Sequence, residues 1–265
     1  MSYSPVPLPG AAPLSLRARP GFPLRPYQDI RPARPAVLTR RYEISWLGAD
    51  GSPQSSTRLA PATAPFEEAF SAFARGTLIQ TAQGFVSVED LVPGMELPVA
   101  EGGTRTLVWM GSMTVYPTRA VPEAEPVTLT RVMADAFGAG RPMPDLVLGP
   151  RARLLVRDAR ARAFSGRAAV YAPARAFRDG ETAITVTPMA SMAVYNLALS
   201  RQGSIRAAGL DVESYHPGTS FAETIEPQMG GLFLSLFPHV SGFGDFGPMA
   251  HPRLTLEETE EMLAT

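Results

Sequence analysis

Ala72-Phe73-Ala74-Arg75-Gly76-Thr77-Leu78-Ile79, followed a few residues later by Gly84-Phe85-Val86-Ser87-Val88-Glu89-Asp90-Leu91-Val92-Pro93-Gly94, decides how this chain is read. Two four-residue apolar-rich runs, Leu78–Thr81 and Phe85–Val88, flank Gln83-Gly84, which is a hairpin signal. Val92-Pro93-Gly94 then turns the chain into Met95–Val99, and Glu101-Gly102-Gly103 turns it again into Thr106–Val115. The same pattern continues through Val127–Val132, Leu146–Leu148, Leu154–Val156, Ala168–Tyr171, Ala183–Val186, Val194–Leu199, Ser204–Ala207 and Leu210–Glu213. Short strands at close spacing with Gly and Pro between them predict an all-β barrel or pseudo-barrel. No long amphipathic stretch interrupts them, which argues against a parallel α/β sheet.

The flanks differ in character. Residues 1–40 contain nine prolines, and residues 1–42 carry seven Arg against the single acid Asp29. Such a segment lacks ladder donors and apolar patterning, so it reads as an extended, disordered Pro/Arg-rich arm. Its Pro23-Leu24-Arg25-Pro26 has PxxP form, with a peptide-ligand role second to that of a solvated arm. In residues 41–71, Tyr42, Ile44 and Trp46 alternate with polar residues as in a half-buried strand, and Pro65–Phe70 starts a short helix. After residues 72–218, the main β-domain, residues 219–265 form a Gly- and aromatic-rich extension that ends in an acidic helix capped by Thr255.

Composition excludes several chemistries. Among 265 residues there is no Cys, which removes disulfides, thiolate metal sites and thiol catalysis. A net charge of −1 gives no general attraction to nucleic acid or membrane. The most apolar run, Leu232–Phe237, is too short to span a bilayer, and prolines break the N-terminal apolar residues. The expected location is the cytoplasm, with export by a signal-independent route left open. His216, His239 and His251 lack metal-site spacing and read as structural, so neither metal nor cofactor is expected. Gly242-Phe243-Gly244-Asp245-Phe246-Gly247 fits GxGxxG but lacks a following helix and a distant acid, so it reads as a loop. Arg151, Arg153, Arg157, Arg160, Arg162 and Arg167 read as a solvated loop, with a surface for phosphate or an acidic partner as the alternative. Met110, Met113, Met189 and Met192 read as core filling.

The ordered set of blocks resembles the hedgehog/intein (Hint) family, in particular its bacterial subgroup of alphaproteobacterial type. It comprises the 72–79 and 84–94 stretches, Trp109-Met110-Gly111, Pro173-Ala174-Arg175-Ala176-Phe177 with Asp179-Gly180, and Ala208 through Gly218. The resemblance implies a β horseshoe with a self-cleaving site. In that site a Cys attacks the carbonyl of the residue before it, and a His within a Ser/Thr-Pro-x-His-Arg pattern protonates the departing nitrogen. Here the Cys position falls on Ala72. The second block matches Gly149-Pro150-Arg151-Ala152-Arg153-Leu154, which puts the hydroxyl at Gly149 and the His at Ala152. Methyl groups can neither attack nor donate a proton.

Two neighbours offer a hydroxyl instead. Ser71 stands one residue upstream and should face away in an extended segment, and Thr77 follows five residues on. Neither has a His close in sequence to act as base. Splicing requires a terminal Asn beside Cys, Ser or Thr, and the single Asn, Asn196, precedes Leu197. The expectation is therefore a degenerate Hint domain without enzymatic activity, acting as a binding or structural module. Its partner would be a protein reached through the arm, or a second copy of the chain. Residual cleavage or acyl transfer by Ser71 or Thr77 is one alternative, and nucleic-acid or acidic-partner binding through the Arg-rich segments is another.

Overall fold

The computed structural model describes residues 38–117 and 127–264, so the expectations for the arm lie, apart from its last residues, outside the described residues. The first strands are β1 (Thr39–Leu47) and β2 (Pro53–Pro61), followed by helix α1 (Ala64–Glu68). Then come β3 (Phe73–Ala74), β4 (Leu78–Thr81), β5 (Gly84–Ser87), β6 (Glu96–Pro98) and β7 (Thr104–Val115). Next are β8 (Leu129–Val132), β9 (Leu146–Leu148), β10 (Arg153–Val156), helix α2 (Ala159–Ser165) and β11 (Val170–Pro173). The series continues with β12 (Ala183–Val186), β13 (Met192–Leu199), β14 (Ser204–Ala207) and β15 (Leu210–Glu213). Helices α3 (Phe221–Thr224), α4 (Pro227–Leu234) and α5 (Leu256–Ala264) follow. The fold is thus all-β with a short C-terminal helix.

One antiparallel sheet runs β12-β8-β9-β3-β13-β7-β1-β2, with β6 also paired to β7; the other runs β11-β10-β15-β14-β4-β5. Strand β7 is the clearest case of sequence becoming structure. Arg105, Leu107, Trp109, Met113 and Val115 are buried on one face while the intervening residues are half-covered. Gly111 occupies the remaining inward position. A Cβ there would lie 2.4 Å from both the Phe70 ring and the Trp109 indole, so glycine lets both aromatics lie against the strand.

Several elements depart from the sequence reading. β1 begins at Thr39, inside the stretch read as arm. β2, rich in Ser and Thr and bounded by Pro53 and Pro61, has no apolar alternation; it forms because it is an edge strand paired along its whole length with β1. Between the two strands expected in the Arg-rich segment, the solvated loop is corrected to helix α2: Asp158 caps it by accepting from the Ala161 N–H at 3.0 Å, and Gly166 ends it in the left-handed conformation. Met189 is corrected from core filling to a surface residue, 87% exposed. The Gly-rich motif forms only a short 3-10 turn over Phe243–Phe246.

The extension after residue 218 is built into the core. Phe233, Leu236 and Phe237 are fully buried, and Phe237 packs on Trp109 with ring centroids 4.5 Å apart. The Trp109 Nε1–H donates to the Leu236 carbonyl at 2.7 Å, satisfying the indole. At the C-terminus, Thr255 and Glu258 form a reciprocal capping box, with the Glu258 N–H on the Thr255 hydroxyl and the Thr255 N–H on the Glu258 carboxylate. No helix among the described residues is long and apolar enough to cross a membrane. Because Gly111 has no slack around it, Gly111→Ala should destabilise the chain by about 1–3 kcal/mol through overpacking. Urea unfolding should show this as a lower midpoint with an unchanged slope.

Candidate functional site

Phe70 is held against Gly111 and Trp109, and the chain then enters β3 as Ser71-Ala72. The Ala72 N–H donates to the Tyr195 carbonyl on β13 at 2.9 Å, and the Ala72 carbonyl accepts from the Gly149 N–H at 2.8 Å. The Ser71 carbonyl accepts from the Arg151 N–H at 3.1 Å. Two of these backbone hydrogen bonds are made by the 71–72 peptide itself and the third by the carbonyl after it, and together they fix the peptide between β13 and the turn after β9. That turn meets the peptide directly: a Cβ on Gly149 would lie 2.2 Å from the Ser71 oxygen and 2.6 Å from its carbonyl carbon. The place where the resemblance puts a hydroxyl is therefore filled by the peptide group itself.

The other sequence-derived positions fall as follows. Ala152 is buried, its N–H bonded to the Gly149 carbonyl and its carbonyl to the Ala174 N–H. Ser71 is 1% exposed. The Thr77 hydroxyl donates to the Ala74 carbonyl at 2.7 Å, which closes the turn after β3. His251 sits 3.0 Å from a Glu101 carboxylate oxygen, and His239 packs among Trp109, Phe237 and Phe246. Among the described residues no group of three or more His, Asp or Glu is placed to hold a metal ion.

Ala72 also borders a small cavity of about 70 Å³ that the sequence did not foretell. Arg151, Arg153, Arg253, Glu68, Glu213 and Asn196 converge there, together with His216. Glu213, on β15, is buried, and its carboxylate accepts from Arg253 Nε at 2.9 and 3.1 Å and from the Gln202 amide at 3.0 Å. Burial pushes this carboxyl above the usual range, while Arg253 and then Arg153 pull it back. Arg253 Nη2 donates to the His216 carbonyl, and Arg151 pairs with Glu68. His216 Nδ1 accepts from the Gly218 N–H at 2.9 Å, so Nε2 carries the hydrogen and donates to the Gly247 carbonyl at 2.8 Å. With both nitrogens engaged, His216 serves the turn. Sequence proximity could not reveal this cluster, because its members come from α1, β10, β13, β15 and the segment before α5. The one local hint was the Arg151-Ala152-Arg153 alternation.

The Hint domain family profile matches residues 71–219, and the chain belongs to that family. No curated protein matches it. Among solved structures it is similar to the bacterial intein-like domain from Clostridium thermocellum, at 14% identity and a TM-score of 0.38, over 55% of this chain and 99% of that one. It is also similar to the MchDnaB-1 intein, at 17% identity and a TM-score of 0.36, over 54% of this chain and 100% of that one.

Two outcomes are expected. Gly149→Ala should cost stability near the upper end of about 1–3 kcal/mol, since the colliding atoms are backbone and cannot rotate away; thermal unfolding reads it. The second concerns pH. Burial holds the His239 imidazole down to about 4, against 6.5 for a free one. Above pH 6.5 both states are neutral and nothing is gained or lost. As pH falls from 6.5 to 4 the unfolded chain takes up a proton that the folded chain refuses, so stability drops by roughly 2–3 kcal/mol and then levels. His239→Phe should flatten most of that drop in urea midpoints measured at pH 7.5, 5.5 and 4.5. An unchanged slope would assign the loss to other groups.

Proposed function

We propose that this chain uses the Hint fold as a non-cleaving module, for binding or for structure. The observation that carries the reading is the contact between Gly149 and the Ser71 carbonyl, at a site where Ala72 and Ala152 supply only methyl groups. Acyl shift needs a nucleophile beside the carbonyl carbon and an acid beside the departing nitrogen. The first is absent at residue 72, and the second at residue 152. The hydroxyl alternatives have less in their favour. Thr77 already donates to the Ala74 carbonyl, and both nitrogens of His216, the one imidazole bordering the same cavity, are hydrogen-bonded. Binding through an Arg-rich face also has less support, because Arg151, Arg157 and Arg160 pair with Glu68, Asp211 and Asp158 respectively.

The test is the mass of the full chain under denaturing conditions after prolonged incubation with dithiothreitol or hydroxylamine. A single species of 28.4 kDa is expected. A fragment beginning at residue 72 would overturn the reading, and its loss in Ser71→Ala or Thr77→Ala would identify the nucleophile.

A further inference from the structure

The cavity beside Ala72 holds three guanidinium groups and two carboxylates. Arg151 is matched by Glu68 and Arg253 by Glu213. Arg153 is the member left over. Its Nη1 reaches no nearer than 4.0 Å to Glu213, and its Nε is buried without a hydrogen-bond partner. The side chain keeps 27% of its surface exposed, so a guanidinium compensated only at 4.0 Å favours a further anion at its outer nitrogens. Asn196 lies on the same wall. Its Oδ1 accepts from the Leu197 N–H at 3.0 Å. His216 adds no charge, because its two nitrogens are committed as one acceptor and one donor.

We infer that this cavity is a binding site for a monovalent carboxylate. Three positive and two negative groups leave a surplus of one charge, which one carboxylate neutralises and a phosphate dianion would overshoot. Size agrees. A volume near 70 Å³ admits a few waters, at about 10–15 Å³ each, and so a carboxylate group with a short stem. It is far below the several hundred Å³ of a nucleotide or sugar pocket. The way in passes the Arg151–Glu68 pair, the most exposed members at 36% and 41%, whereas Ala72 and Glu213 lie at the buried end. The planar fork of a guanidinium suits two carboxylate oxygens. The ligand is either a free short-chain carboxylate or the carboxylate ending a peptide. The inference rests on the non-cleaving reading in one respect: the methyl of Ala72 leaves the buried end free of a reacting group.

The experiment is a titration of the intact chain, labelled with ¹⁵N at arginine, with sodium acetate at constant ionic strength maintained by chloride. The Arg153 Nε–H signal, identified by its absence in Arg153→Lys, should shift saturably with acetate and stay still with chloride alone. Arg153→Lys should weaken acetate binding at least tenfold, followed through the Arg253 signal. If that variant does not fold, sequential resonance assignment of the unaltered chain identifies the Arg153 signal, and its titration decides. N-acetylglycine, a carboxylate on a peptide end, separates the two sources: equal or tighter binding assigns a peptide terminus, and tenfold weaker binding assigns a free acid. No shift at Arg153, or the same shift with chloride as with acetate, overturns the site. A mass spectrum of the same sample reports cleavage separately, so a single intact species without acetate binding removes this site and leaves the non-cleaving reading standing.

Discussion

The close approach of Phe70 to Gly111 sets the position of everything around the site. A strand residue with any side chain would hold the ring away, and the ring is one residue upstream of the 71–72 peptide. With Phe70 seated between Tyr42 and Trp109, the next carbonyls arrive where the turn after β9 can hold them. Gly149 is the second half of the same constraint. Gly111 lets a ring lie against a strand and Gly149, about forty residues on, lets two backbones touch, so two missing side chains place the 71–72 peptide.

Burial of charge around Ala72 follows a different logic. Glu213 is covered almost completely and would be expensive alone, yet the Arg253 Nε–H, shared between its two oxygens, and the Gln202 amide compensate it. Arg253 can do this because the segment before α5 runs beside β11, where Tyr171 bonds both to the Pro252 carbonyl and to the Leu254 N–H. Removing one partner of such a pair leaves the other desolvated, so the last forty residues and the β-domain stabilise each other through charge as well as through the aromatic cluster on Trp109.

Strands such as Leu146–Leu148, Ser204–Ala207 and Leu210–Glu213 were legible in the sequence because their residues and turns are local and agree with each other. The final helix was legible for the same reason, through the Thr255 cap. Strand β2 was not, since nothing in Pro53–Pro61 asks for a strand until β1 offers it a ladder. Helix α2 was masked by its Arg content, though Asp158 and Gly166 mark its ends. At the site, the methyl groups at 72 and 152 could be read one by one. The collision that keeps residue 149 a glycine could not, and neither could the meeting of Glu68, Arg153, Glu213 and Arg253, because these depend on pairings across the whole fold.

The order of strands carries one more consequence. Residues before the 71–72 bond supply β1 and β2, and β1 lies against β7 from Tyr42↔Met113 to Trp46↔Trp109. Tyr42, Ile44, Phe66 and Phe70, all upstream, are buried in the same cluster as Trp109, Phe233 and Phe237, all downstream. Cutting the backbone at that bond would therefore release nothing: the two pieces would stay interlocked, as a nicked protein does. A domain that discards its leading segment needs that segment to hang free, whereas here the leading segment is a wall of the building.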